Sequence, residues 1–229
     1  MRKAFCLALA LLMLLAFTAC DKNPTPAAPG TATTPAFTLP AVSIADDSAL
    51  SAFFADDAAG KIEALSGAIC SFACAVQMYP GSLTSVPDEN FGWVYLYNLL
   101  VYNGVTCEGV SVAKDGFSVT KEAIETLQRD TLGGAVWTGI GDSMTEWVSY
   151  NESRSTYTVK TGRPQTLGAC IESAAYREDA SCAELTVAVY DSAAGSDLES
   201  ATVGRYLFDL KPFEGSPYGY IIAAFSRAE

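Results

Sequence analysis

The apolar residues of this chain change their spacing half-way along it, and that change limits the folds open to it. Ile62, Leu65, Ile69, Phe72 and Val76 follow one another at steps of three and four residues, the spacing of one helical face. From residue 155 onward, apolar residues fall instead in strand-length runs separated by short turn-like sequences. The sequence therefore predicts helices first and a sheet afterwards.

Three helices are predicted before residue 104. The first two cover about 48–54 and 58–78. In the third, Ser85 is expected to cap the helix, with Asp88 at the third helical position, and an apolar run carries it to Gly104. Because this helix is apolar nearly all round, we expect it at the centre of the fold.

A hairpin over about 109–119 and a helix between Thr120 and Gly133-Gly134 lead into the predicted sheet. The strand candidates are 155–160, 165–176, 183–190, 202–210 and 218–225. Since their connections are short, neighbouring strands are expected to pair antiparallel as a meander. We therefore predict an α+β fold whose N-terminal helices pack on a C-terminal curved antiparallel sheet, with the apolar stripe of the second helix on its inner face.

This order of elements resembles the cystatin-like and nuclear-transport-factor-two-like cone folds, in which a curved sheet wraps a long helix. The resemblance covers about residues 45–229 and rests on the order of elements. It implies a cone-like cavity that a ligand or substrate could enter.

The N-terminal residues have the pattern of an export signal. Arg2 and Lys3 precede an uninterrupted apolar run of residues 4–17, which is too short to span a membrane. The last residue of the run and the three that follow it, Phe17-Thr18-Ala19-Cys20, resemble the lipobox of bacterial lipoproteins. The resemblance implies cleavage before Cys20 and a diacylglycerol on its sulfur, with further acylation by a palmitate-like chain. An ordinary cleaved signal peptide with a chance cysteine is the alternative.

The expected organisation is a signal peptide over residues 1–19, a lipidated cysteine and tether over 20–40, and one globular α+β domain over 41–229. The tether is rich in proline, threonine and alanine, a composition typical of extended linkers. In polyproline geometry it could hold a domain up to roughly 60 Å from a membrane. The expected location is the extracytoplasmic face of the cell membrane.

The formal net charge is −12, and both cationic residues of the leader would be lost on cleavage. Such a surface repels nucleic acid and anionic headgroups, so no nucleic-acid partner is expected. The chain contains no histidine, which excludes serine or cysteine nucleophiles paired with histidine. Gly141-Asp142-Ser143 resembles the nucleophile block of an esterase and lipase family, but we expect Asp142 or Ser143 to cap a short helix that runs through Trp147.

Neither a metal nor a cofactor is expected, because the sequence has no histidine and no Cys-x-x-Cys pair. Asp191, Asp197 and Glu199 form the densest acidic loop, and a solvated loop is the expected arrangement. Five cysteines remain after processing, and both disulfide pairing and buried thiols stay open for them: Cys70, Cys74, Cys107, Cys170 and Cys182.

Tyrosines are expected on the central helix and on the strands, at Tyr95, Tyr97, Tyr102, Tyr157, Tyr176, Tyr190, Tyr206 and Tyr220. They could line a ligand pocket or simply pack in the core. The leading functional hypothesis is a non-enzymatic, membrane-anchored extracytoplasmic lipoprotein that binds a small apolar ligand or another envelope protein. One alternative is a histidine-free cone-fold enzyme that uses a buried carboxylate and tyrosines, as the ketosteroid isomerases of that fold do. A purely structural envelope component is the third possibility.

Overall fold

A computed structural model describes residues 37–45, 48–83, 87–134 and 137–228. Within these ranges the chain forms five α-helices and two sheets. The helices are α1 (Ser48–Phe53), α2 (Ala58–Met78), α3 (Glu89–Tyr97), α4 (Lys121–Leu132) and α5 (Leu198–Ala201). The strands are β1 (Ser43–Ile44), β2 (Val110–Ala113), β3 (Gly116–Thr120), β4 (Val148–Asn151), β5 (Thr156–Lys160), β6 (Leu167–Arg177), β7 (Cys182–Asp191), β8 (Thr202–Pro212) and β9 (Tyr220–Arg227). The expected α+β class, with helices mainly N-terminal and the sheet C-terminal, is confirmed.

Helix α2 has the predicted bounds, and the Asp57 carboxylate caps its start by accepting from the Gly60 N–H. The expected start of α3 is wrong. Asp88 is the N-cap itself and accepts from the Phe91 N–H, while Ser85 lies outside the described residues. Helix α3 then widens into a π-turn over Asn98–Tyr102 and ends ahead of Gly104, whose φ is +63°.

The larger sheet has the order β1-β6-β7-β8-β9. Strands β6 to β9 pair antiparallel with their neighbours in chain order, so the predicted meander is confirmed for these four strands. The two-residue β1 pairs parallel with β6 at one edge. Short irregularities interrupt all three antiparallel pairings, which is how strands bend within a curved sheet.

The first of the five predicted strands belongs elsewhere. Strand β5 joins the β2–β3 hairpin and β4 in a second sheet of order β2-β3-β5-β4, all of it antiparallel. Strand β4 was not expected from the sequence. The hairpin and α4 lie as predicted, with Thr120 capping α4 and Gly133 closing it at φ +74°.

Helix α2 packs its apolar stripe against the larger sheet, as predicted. All five stripe residues are buried. Phe72 sits between α3 and the sheet, with its ring 5.0 Å from that of Phe91, 5.9 Å from Phe208 and 4.9 Å from Phe225. Residues of α1 to α4 and of both sheets thus share one apolar cluster that extends from Leu50 to Ile222.

By length and composition α2 is the one helix in the described ranges that could cross a membrane. Its apolar stripe is already covered by the sheet and by α3, so a core position accounts for its hydropathy.

The described chain begins on the outer face of the larger sheet, opposite α2. The Phe37 ring meets the Tyr190 ring edge-on at 5.5 Å. Leu39 packs with Cys170 and Ala188 in a small second cluster, after which the chain enters β1. The segment 37–45 therefore packs on the outer face of the sheet at its start and then, through Val42, Ile44 and Ala45, against the main core at the sheet edge.

Candidate functional site

The tyrosines of the central helix lie inside the core. Tyr95 and Tyr97 are fully buried, and the Tyr95 hydroxyl lies 2.6 Å from the Thr131 hydroxyl. The Tyr97 hydroxyl accepts from the Arg163 N–H at 3.2 Å, and Tyr102 donates to the Arg163 carbonyl. Burial raises the pKa of Tyr102 to about 12 and also raises the pKa of Tyr97. These hydroxyls stay protonated and hold the helix against the loop that leads into β6.

Three strand tyrosines make comparable contacts across the core. Tyr157 donates to the Thr138 carbonyl at 2.7 Å, Tyr206 to the Gln77 side chain at 2.6 Å, and Tyr220 to the Phe53 carbonyl at 2.5 Å. Tyrosine-assisted proton transfer needs a carboxylate beside the hydroxyl. Among these described bonds every partner is a neutral carbonyl or amide oxygen. The tyrosines therefore join elements of the fold, and the enzymatic alternative gains no support from them.

Ser143 lies on the surface beside the start of α3. Its hydroxyl is 2.9 Å from the Asn90 side-chain oxygen and 2.9 Å from the Tyr79 hydroxyl, and its N–H donates to the same Asn90 oxygen at 3.1 Å. The expected capped helix through Trp147 is wrong. A three-residue 3₁₀ turn, Asp142–Met144, follows Gly141 without a side-chain cap. Ser143 anchors this turn to α3, and none of its described partners is a base that could activate it.

All five cysteines of the described chain are free thiols. Cys70 and Cys74 lie one turn apart on α2, and Cys170 lies on β6. Burial is the main reason that the pKa of Cys70 rises to about 12 and that of Cys170 to about 11, and the pKa of Cys74 rises as well. Because thiolates are the reactive form and these pKa values are raised, all three stay as neutral thiols, Cys74 and Cys170 buried and Cys70 half-buried. Cys20 lies outside the described residues.

The acidic loop uses its carboxylates locally. Asp197 caps α5 by accepting from the Ser200 N–H, and this hydrogen bond is the main cause of its lowered pKa. Glu199 pairs with Arg205 at 2.7 Å, and Asp191 accepts from the Ala193 N–H. Within the part of the chain that the structure describes, no three potential ligands are grouped for a metal ion.

Among the described residues, open space is found at the surface in at least two clefts. One, of about 320 Å³, lies between the end of α2 and the start of α3, and its walls include Met78, Tyr79, Ser82, Pro87 and Phe91. We call it the α2–α3 cleft. Ser82 is buried, and its hydroxyl has no hydrogen-bond partner within the described residues. Such an unpaired group costs about 1–3 kcal/mol until something bonds to it.

The second cleft, of about 430 Å³, lies between the start of β2 and the start of α4, and we call it the β2–α4 cleft. Glu108, Thr120, Glu122 and Thr126 line it, so its charge is negative. Sequence reasoning missed both clefts. The only signal for the first was the pair Pro80 and Pro87, which brackets the connection between two apolar helices.

Comparison with known proteins adds no relative: no family model, no curated protein and no solved structure matches this chain. Its class is therefore defined by its own fold, an α+β protein with one open five-stranded sheet, one four-stranded sheet and two surface clefts.

Proposed function

We propose that this chain is a lipid-anchored extracytoplasmic lipoprotein that binds a ligand or another envelope protein without catalysing a reaction. The anchor follows from the basic start, the apolar run and the cysteine after Phe17-Thr18-Ala19. A diacylglycerol on Cys20 with a further acyl chain gives firm attachment, because one chain alone binds a membrane only marginally. The tether then holds the domain outside the membrane.

The α2–α3 cleft is the observation that carries the binding role. The aromatic side chains expected to line a pocket are occupied in the core, whereas this cleft is open to an approaching molecule. Met78 offers a flexible thioether and Tyr79 part of an aromatic face, while Phe91 is buried behind them against Phe72 and Trp137. The cleft therefore combines apolar and polar surface, which suits a ligand that has both an apolar and a polar part.

Charge narrows the choice of ligand. The Asp88 carboxylate lies in the wall and is exposed, and the whole chain is acidic, so anions are disfavoured. We therefore propose a neutral or cationic apolar ligand, either a small molecule or a side chain of a partner protein.

The anchor is tested by feeding cells an alkyne-tagged fatty acid and comparing the parent with Cys20→Ala. We expect label and membrane association in the parent only, because Cys20 supplies the acylated sulfur. Label that persists in Cys20→Ala would refute the anchor.

The cleft is tested by placing a photoreactive phenylalanine analogue at Pro80, which is exposed beside the cleft, and irradiating intact cells. We expect one defined adduct, lost when Met78→Asp puts a charge into the apolar wall. The matched control carries the analogue at Tyr150, an exposed aromatic position on β4 of the four-stranded sheet. Equal adducts at both positions, or adducts that survive Met78→Asp, would refute binding at this cleft.

A further inference from the structure

Within the described residues, neither edge of the four-stranded sheet is paired with a further strand, and each carries an exposed apolar side chain. Strand β2 forms one edge and β4 the other. The described residues have only three large apolar side chains that are clearly exposed, and two of them lie on these edges: Val112, 61% exposed, and Tyr150, 41% exposed. Free strand edges pair readily with another strand unless charges or proline block them.

The hydrogen bonds of the hairpin fix which backbone groups of β2 point outward. Thr120 donates its N–H to the Gly109 carbonyl, and Ser111 lies opposite Ser118. Because the bonding direction alternates along a strand, Gly109 and Ser111 face β3, whereas Val110 and Val112 face away from it. The Val110 N–H bonds to the Cys107 carbonyl, which leaves the Val110 carbonyl and both backbone groups of Val112 pointing outward from the sheet.

We propose that this edge pairs with the same edge of a second copy of the chain, antiparallel about a two-fold axis at Ser111. In that register the Val112 N–H donates to the Val110 carbonyl of the second copy, and symmetry repeats the bond. The two valines also become cross-strand neighbours, an arrangement that stabilises sheets. Strand β2 has the sequence Val-Ser-Val-Ala, with neither charge nor proline to oppose the pairing.

Charge complementarity selects the second copy as the occupant. Glu108 and Lys114 are turn residues just beyond the two ends of β2, and the two-fold register brings Glu108 of one chain near Lys114 of the other, twice per dimer. Lys114 of the second copy then lies at the mouth of the β2–α4 cleft, where Glu108 and Glu122 add negative charge. Both Glu108 and Lys114 are exposed and make no ion pair among the described residues.

The β4 edge lacks this complementarity. Pairing β4 with itself about Ser149 would bring Glu146, in the turn before β4, near Glu152 of the second copy, in the turn after β4, again twice. Like charges brought together in this way destabilise the pairing. The same physical rule therefore favours β2 and opposes β4, although both edges expose an apolar residue.

A four-residue strand pair is much smaller than a standard protein interface, so free copies would associate weakly. The inference rests here on the proposed anchor: lipidated copies confined to one membrane surface meet at a high effective concentration. The two-fold pairing uses the β2 edge of both chains and leaves only the β4 edges, where like charges oppose pairing, so it does not propagate beyond two chains.

The test uses the full chain with Ser111→Cys, lipidated and reconstituted in phosphatidylcholine vesicles, with copper phenanthroline as oxidant. At the two-fold axis the introduced cysteines would be within disulfide reach, so we expect a covalent dimer that the parent does not form. Ser149→Cys, in the middle of β4, is the matched control. Failure of Ser111→Cys to cross-link, or equal cross-linking by Ser149→Cys, would overturn the proposal.

A charge swap tests the register. In the Ser111→Cys chain, Lys114→Glu should lower the yield of dimer about fivefold or more, because two pairs become like-charged. Adding Glu108→Lys reverses both charges and should restore the yield. If the chain with both Lys114→Glu and Glu108→Lys gives as little cross-linked dimer as Lys114→Glu alone, the register is overturned.

Repeating the cross-linking with Cys20→Ala separates this inference from the anchor. Cross-linking that requires Cys20 at low protein concentration, but occurs without Cys20 at high protein concentration, supports both the edge pairing and the anchor. Equal cross-linking with and without Cys20 supports the edge pairing and argues against confinement by the anchor. No cross-linking in either form overturns the edge pairing, and the fatty-acid label still reports on the anchor.

Discussion

Truncating Phe72 to alanine should remove the contact that joins helices α2 and α3 to the larger sheet. The Phe72 ring meets four others, those of Phe91, Tyr95, Phe208 and Phe225, at centroid distances between 4.9 and 5.9 Å. Phenylalanine-to-alanine changes in cores cost about 3–5 kcal/mol. Because each aromatic pair adds about 0.5–1.5 kcal/mol beyond area burial, we expect the upper half of that range, about 4–5 kcal/mol.

The measurement is urea unfolding followed by far-ultraviolet circular dichroism, with the denaturant slope compared between variants. The midpoint should fall at an unchanged slope, and thermal melts should shift by about 8–20 °C. Phe72→Leu keeps most of the volume but loses the four ring pairs, so it should cost about 2–3 kcal/mol, less than Phe72→Ala, while Glu63→Ala, exposed on the same helix, should stay within about 0.5 kcal/mol. A loss below about 1 kcal/mol for Phe72→Ala would show that these rings do not carry the packing.

Three further changes test other parts of the structure. Ile69→Asp places a charge at a fully buried position and should leave no cooperative melt, whereas a parent-like melting temperature would mean that the stripe faces solvent or a partner. Burial raises the pKa of Cys70 from 9.0 to about 12, so the thiol's contribution to stability is complete below pH 9 and falls as the pH rises towards 12. Calorimetry from pH 7 to 11 should therefore show a falling melting temperature, with a less steep fall in Cys70→Ala. A melting temperature that does not change with pH would contradict this. Gly92→Ala brings a methyl group 2.3 Å from the Trp137 ring and should cost about 1–3 kcal/mol in chemical denaturation, while Gly81→Ala, where nothing lies within 4 Å, should be neutral.

Local sequence signals predicted the fold where they agreed with packing. The stripe of α2 and the αL glycine after α4 each needed only nearby residues, and both are found as expected. The start of α3 was misplaced because both Ser85 and Asp88 are good caps, and the sequence does not say which one the chain uses. Strand β4 is four residues long and mostly exposed, so its apolar pattern was too short to recognise.

The assignment of β5 needed information that no local pattern contains. Its alternation fits either sheet, and its pairing with β3 joins residues about 40 positions apart, Phe117 with Val159. The tyrosines raised a similar difficulty, since their spacing is the same whether a hydroxyl faces a cavity or a carbonyl. Their partners, such as Thr138 for Tyr157, come from distant segments and were visible only in three dimensions. The clefts were missed for the same reason.

The way in which residues 37–45 join the fold gives the domain a mechanical property. Pulling on the N-terminus loads the Phe37–Tyr190 contact, then Leu39, then the two-residue pairing of β1 with β6. Val42, Ile44 and Ala45 also pack against the main core, so they are the last contacts of the segment to be lost. The antiparallel pairings of β6 to β9 do not include the segment. Peeling nine residues releases about 30 Å of chain. When a domain held from its N-terminus is pulled, the segment that connects it to its attachment point would thus become longer before the core begins to unfold.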